Sequence, residues 1–132
     1  MVRSPGVRGG GRVAQGHPLC VHLRQLHDQV LQTIEDLGFC PKGEGGRFVS
    51  DGALVAPFGK LPFNTDGGGL CNNHPSNRGG ITKVIEAVRQ LRGEAHPAVQ
   101  VPDCQVALAH GTGGSLGTRH GSVTLILGQE DA

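Results

Sequence analysis

Between Leu26 and Leu37 the apolar residues Val30, Leu31, Ile34 and Leu37 fall on one side of a helical repeat, and Gly38 follows in the place of a C-terminal cap. A short helix is predicted there. A clearer pattern runs from Ile81 to Arg92, where Ile81, Val84, Ile85, Val88 and Leu91 share one face and Gly93 ends the run. That spacing predicts a helix with its apolar side inward and Lys83, Glu86, Arg89 and Gln90 toward solvent. Two further stretches, Cys104 to His110 (CQVALAH) and Ser122 to Gly128 (SVTLILG), carry apolar residues on both parities. They predict two central strands buried on both faces and joined by the glycine-rich GTGGSLGTRHG. The segment from Cys40 to Asn64 reads as irregular loop with room for one short extended pair. The order helix, loops, helix, strand, strand places the chain in the α/β class.

Composition narrows this picture. With 132 residues the chain is one domain or part of one. Apolar residues make up 36%, aromatics 3%, and there is no Trp or Tyr, so the core must be aliphatic and thin. The 23 glycines and 8 prolines follow no repeat, which excludes collagen-like and solenoid architectures. Residues 1–22 are Arg-, Gly- and Pro-rich without periodicity and are expected to form a disordered tail.

A net charge of +1 and the scarcity of aromatic stacking surfaces argue against a nucleic-acid partner. The apolar runs are too short to span a bilayer, and nothing in the Arg/Gly-rich start resembles a signal peptide. The expectation is a cytoplasmic protein with no membrane partner. Cys20, Cys40, Cys71 and Cys104 show no paired spacing and are expected as free thiols, and the histidines lack the spacing of a metal site.

Three places carry candidate chemistry. His74 lies between a glycine-rich run and the Ile81–Arg92 helix, and Pro75 biases it toward extended backbone. A helix N-terminus disfavours imidazolium, so a neutral imidazole suited to general-base work is expected, against the plainer reading of an exposed loop histidine. His110 ends a strand and opens HGTGG, whose glycines would let backbone N–H groups approach an oxyanion, or would simply make a tight turn. Cys71 stands three residues before His74 and reads more simply as a small buried residue than as a nucleophile.

Several segments together resemble the C-terminal domain of thiolases, in the branch of sterol-carrier-protein-type and archaeal-type enzymes known as lipid-transfer proteins or acetyl-CoA acetyltransferases. They are EDLGFCPKGEGGRFV (Glu35 to Val49), LPFNTDGGGLCNNHP (Leu61 to Pro75), IEAVRQLRGEA (Ile85 to Ala95), QVPDCQVALAHGTGG (Gln100 to Gly114) and the closing TLILG. The resemblance covers about Val30 to Gly128. It implies an αβαβα layered fold of which residues 30–132 form the C-terminal half, preceded by a tail at residues 1–29. It also implies an acyl-CoA thioester as substrate, with no separate cofactor. In that family the histidine of a GHP motif activates a cysteine nucleophile of the N-terminal half; by position this is His74, with Asn73 where the family has glycine. The same resemblance puts His110, Gly111, Gly113 and Gly114 at the last active-site loop. Implied partners are the missing N-terminal half or a second copy, and a small OB-fold protein.

The family segment YD-x-F-T is absent; in its place stands LRQLHDQ, Leu23 to Gln29. CTA CGA CAG CTT CAC GAT CAG encodes that heptapeptide and, read one base later, encodes Tyr-Asp-Ser-Phe-Thr-Ile. Residues up to about 29 are therefore expected to be read out of frame from a gene for a longer thiolase. A truncated acyltransferase without turnover of its own is the first expectation. A non-catalytic acyl-CoA- or lipid-binding subunit and an inert gene remnant are the alternatives.

Overall fold

A computed structural model describes residues 19–22, 27–72, 79–113 and 121–130. The elements run β1 (Leu19–His22), α1 (His27–Asp36), α2 (Gly45–Val49), a 3-10 turn (Ser50–Gly52), α3 (Gly68–Cys71), α4 (Gly79–Arg92), β2 (Val106–Gly113) and β3 (Gly121–Gly128). The strands form one sheet in the order β1-β2-β3. β1 pairs parallel with β2 from Leu19↔Ala107 to His22↔His110, and β3 pairs antiparallel with β2 from Val106↔Gly128 to Gly113↔Gly121. β1 falls inside residues 1–22, so that part of the expected tail is a sheet strand.

Both predicted helices end as their glycines require. Gly38 adopts φ +82° and Gly93 φ +69°, a left-handed conformation that glycine reaches without a Cβ clash. Around each, a pair of hydrogen bonds closes the helix: Gly38 N–H to Glu35 C=O with Phe39 N–H to Ile34 C=O, and Gly93 N–H to Gln90 C=O with Glu94 N–H to Arg89 C=O. α2 is an element that periodicity missed, because five residues with two glycines carry no helical signal. Its start is set from outside, by the Glu35 carboxylate of α1 accepting the Gly45 N–H at 2.9 Å. A Cβ on Gly45 would lie 2.7 Å from that oxygen, the end of a flexible side chain that would have to shift.

α4 packs over β1 and β2. Ala87 and Leu91 of the helix meet Val101, Cys104, Ala107 and Ala109, with Val84 and Leu127 at the margin, giving the small aliphatic core that the composition predicts. The Gln129 side chain closes one end by donating to the carbonyls of Leu91 (2.6 Å) and Cys104 (3.2 Å).

Two expectations about burial fail. Lys83, Glu86 and Gln90 of α4 are buried at 1%, 6% and 1% exposure, whereas Ile81 and Ile85 are 56% and 45% exposed. The helix meets the sheet with Ala87 and Leu91, while its polar stripe is buried under the flanking loops, which satisfy it as described below. The second failure is β3. β2 is buried at Ala107, Ala109 and His110 and half-buried between them, but β3 is exposed along nearly its whole length because it is the edge strand and α4 sits toward β1 and β2.

Candidate functional site

The buried stripe of α4 is a hydrogen-bonded brace. Glu86 accepts from Thr65 Oγ1 at 2.6 Å and from Gln90 Nε2 at 3.0 Å. Gln90 also donates to Val99 C=O at 3.0 Å and accepts the Val101 N–H at 2.8 Å. Lys83 pairs with Asp66, their side chains 1% and 8% exposed. Burying this pair is tolerable because each charge is met by its partner and Asp66 also accepts the Gly68 N–H at 3.0 Å. The Asp66 carbonyl accepts from the Asn72 side chain. One residue thus ties together the turn before α3, the end of α3 and the second turn of α4, so the described chain on both sides of positions 73–78 is fixed by the same contacts.

His110 lies on β2 directly opposite Thr124 of β3. Its Nδ1 is 2.8 Å from Thr124 Oγ1. The ring is 7% exposed, and burial pushes its pKa below the usual histidine value, favouring neutral imidazole. Gly111 and Gly113 are not in a loop: both belong to β2 and pair with Val123 and Gly121. A Cβ on Gly113 would meet nothing within 4 Å, so no close approach at that position demands glycine.

An apolar cleft of about 240 Å³ opens between the first turns of α4 and the β2–β3 hairpin, bordered by Gly80, Ile81, Val84, His110, Gly111 and Leu125. It brings the beginning of the helix that follows His74 to the strand that carries His110. Asn73, His74 and Gly114 themselves lie outside the described residues. Larger depressions of about 480 and 640 Å³ around Arg47, Phe48 and Lys60 are open surface remote from this strand.

The cysteines differ in accessibility. Cys71 is exposed, which corrects the expectation of a buried residue; it sits at the C-terminal end of the one-turn α3, beside Asn72 at the surface. Cys104 is buried in the core, and desolvation pushes its thiol up to about 11. Cys40 is half-buried, with its pKa raised chiefly by desolvation and then by Glu35 and Glu44. Sequence reasoning missed Asp66, Thr65, Lys83, Glu86 and Thr124. Short polar residues beside glycines gave no signal for the first two, and only strand register reveals the last.

Residues 14–129 match the family described as thiolase C-terminal domain-like, a match that starts ahead of Val30. The acetyl-CoA acetyltransferase of Methanothermobacter thermautotrophicus is 37% identical over 115 residues, 84% of this chain and 30% of that protein. Sterol carrier protein 2 of Bos taurus is 38% identical over 100 residues, 73% of this chain and 18% of that protein. Among solved structures, the Ltp2-ChsH2(DUF35) aldolase superposes with a TM-score of 0.67 at 34% identity, covering 90% of this chain and 28% of that one. The chain thus spans less than a third of each of these relatives. With a family match along most of its length and an α/β architecture like that of a solved relative, the chain belongs to the thiolase C-terminal domain-like family.

Proposed function

We propose that this chain is the C-terminal half of a thiolase-like acyltransferase acting on acyl-CoA thioesters, and that it turns over only when joined to the half that carries the nucleophile. The observation that carries this reading is the apolar surface beside the cleft: Ile81 and Ile85 on α4, and Val123 and Leu125 on β3, are 56%, 45%, 64% and 43% exposed. A helix and a strand with such a face call for a covering layer, which the second half of an αβαβα fold would supply.

In this reading His74 takes the proton of the cysteine thiol supplied by the other half. The thiolate adds to the thioester carbonyl, and collapse of the oxyanion expels the coenzyme A thiolate, which recovers a proton. Backbone N–H groups around Gly111, Gly113 and Gly114 would stabilise the oxyanion, and His110 would face the second acyl group. Asn73, standing where the family has glycine, fits a left-handed backbone less easily than glycine does. The test is His74→Ala in the reconstituted full-length enzyme. Thiolysis should be abolished with the circular dichroism unchanged, and unchanged turnover removes the assignment.

A second reading is a non-catalytic subunit that completes a site with another polypeptide. The name of the solved relative, Ltp2-ChsH2(DUF35) aldolase, which joins two components, supports this reading. Co-purification of the chain with a separately encoded N-terminal half, without any fused form, would select it. The reading-frame expectation is tested on the gene, from well upstream of Met1 through the Val30 codon. A single restored base should join the chain to an upstream frame with a cysteine nucleophile, and confirmation of the frame as written refutes it.

A further inference from the structure

His110 and Thr124 occupy opposed positions of an antiparallel pair, so their side chains stand on the same face of the sheet. By alternation this face is opposite the one on which Ala107 and Ala109 meet α4. Thr124 is β-branched, and two heavy atoms on its Cβ restrict χ1, so its Oγ1 is a stiff point of attachment. That oxygen lies 2.8 Å from Nδ1 of a ring that is 7% exposed. A neutral imidazole has one donor nitrogen and one acceptor nitrogen, and the hydrogen bond at one fixes the character of the other.

We propose that Thr124 is the positioning residue of His110: its hydroxyl oxygen accepts the Nδ1–H, which holds the imidazole in the tautomer whose lone pair is on Nε2. Thr124 sits on the exposed edge strand, so its own hydroxyl proton has solvent to bond to, and the oxygen is left to act as acceptor toward the ring. Burial supports the arrangement by keeping the ring neutral, since an imidazolium would carry hydrogen on both nitrogens. In the acyl-transfer reading, on which the purpose of this device rests, His110 is then held as a neutral ring of fixed orientation beside the second acyl group. Thr124 acts only through His110 and touches no reacting atom.

The experiment reads the ring itself, in the chain as it stands, by long-range proton–nitrogen correlation of the His110 side chain. The wild type should show the Nδ1–H tautomer alone. Thr124→Ser keeps a hydroxyl and should keep that tautomer, whereas Thr124→Val should lose it, moving the ring to Nε2–H or to a mixture. An Nε2–H tautomer in the wild type overturns the proposal, as does a ring in Thr124→Val indistinguishable from wild type. If backbone amide spectra show that Thr124→Val does not fold, the wild-type tautomer and the Ser variant still decide: loss of Nδ1–H in the Ser variant also refutes it. The outcome is separable from the functional reading, because His74→Ala changes turnover and leaves the His110 ring untouched.

Discussion

Replacing Gln90 by leucine exchanges one buried side chain for another of similar bulk and removes three hydrogen bonds: to Val99 C=O at 3.0 Å, to Glu86 Oε1 at 3.0 Å and from Val101 N–H at 2.8 Å. Because Val101 is 1% exposed, its amide has little access to replacement water. Glu86 Oε1 keeps Thr65, so two groups lose their partner. At about 1–3 kcal/mol for each, less roughly 1 kcal/mol that leucine returns in apolar burial, the net loss is about 1–5 kcal/mol. Against the roughly 5–15 kcal/mol of stability that is usual for a domain, that is a large fraction. With a urea dependence of about 2 kcal/mol per molar, the unfolding midpoint should fall by roughly 0.5–2.5 M. The paired substitution is Ile85→Ser on the opposite side of the same helix, where 45% of the residue is already exposed. Its loss should stay within about 1 kcal/mol. Equilibrium urea unfolding of both variants at low protein concentration decides between the two orientations of α4. If Ile85→Ser costs more than Gln90→Leu, the Ile81–Ile85 side is the buried one and the polar brace is refuted.

Stability should depend on pH through His110. Burial lowers its pKa below the ordinary 6.5, so in that window the unfolded chain binds more protons than the native one. Its contribution is complete above about 6.5 and is lost as pH falls through the depressed native value; His110→Gln should flatten this slope in urea midpoints measured across pH. Gly45→Ala should cost no more than about 1 kcal/mol, because its Cβ would stand 2.7 Å from Glu35 Oε1, the end of a flexible side chain that can move aside; a loss above about 2 kcal/mol in thermal unfolding would contradict this. Ellman's reagent should label Cys71 promptly in the native chain and Cys104 only on unfolding, because Cys104 is 3% exposed and its thiol is pushed up to about 11.

Helix ends were legible in the sequence because Gly38 and Gly93 act locally: the same left-handed cap closes any helix that reaches them. The face of α4 was not, since periodicity assumes that polar residues seek water. Here Lys83, Glu86 and Gln90 find Asp66, Thr65, Val99 and Val101, partners separated from them by up to 21 positions in the chain. α2 escaped notice for a similar reason, because its first amide is held by Glu35 of another helix. β3 reads as a buried strand from SVTLILG but is exposed, because it is the edge strand and α4 sits toward β1 and β2. His110 was visible as a candidate from its glycine neighbours, but Thr124 becomes its partner only once the register of β2 against β3 is known.

The central claim is that the outward apolar face of α4 and β3 belongs against a second half. It is tested most directly by co-expressing the chain with the N-terminal portion of a thiolase-like relative and following both amide exchange and thiolysis of an acyl-CoA. The account predicts a one-to-one complex in which the amides of Gly121–Gly128 become protected and thiolysis appears that neither part shows alone. Failure to form a complex, with β3 exchanging as fast as in the isolated chain, would contradict it.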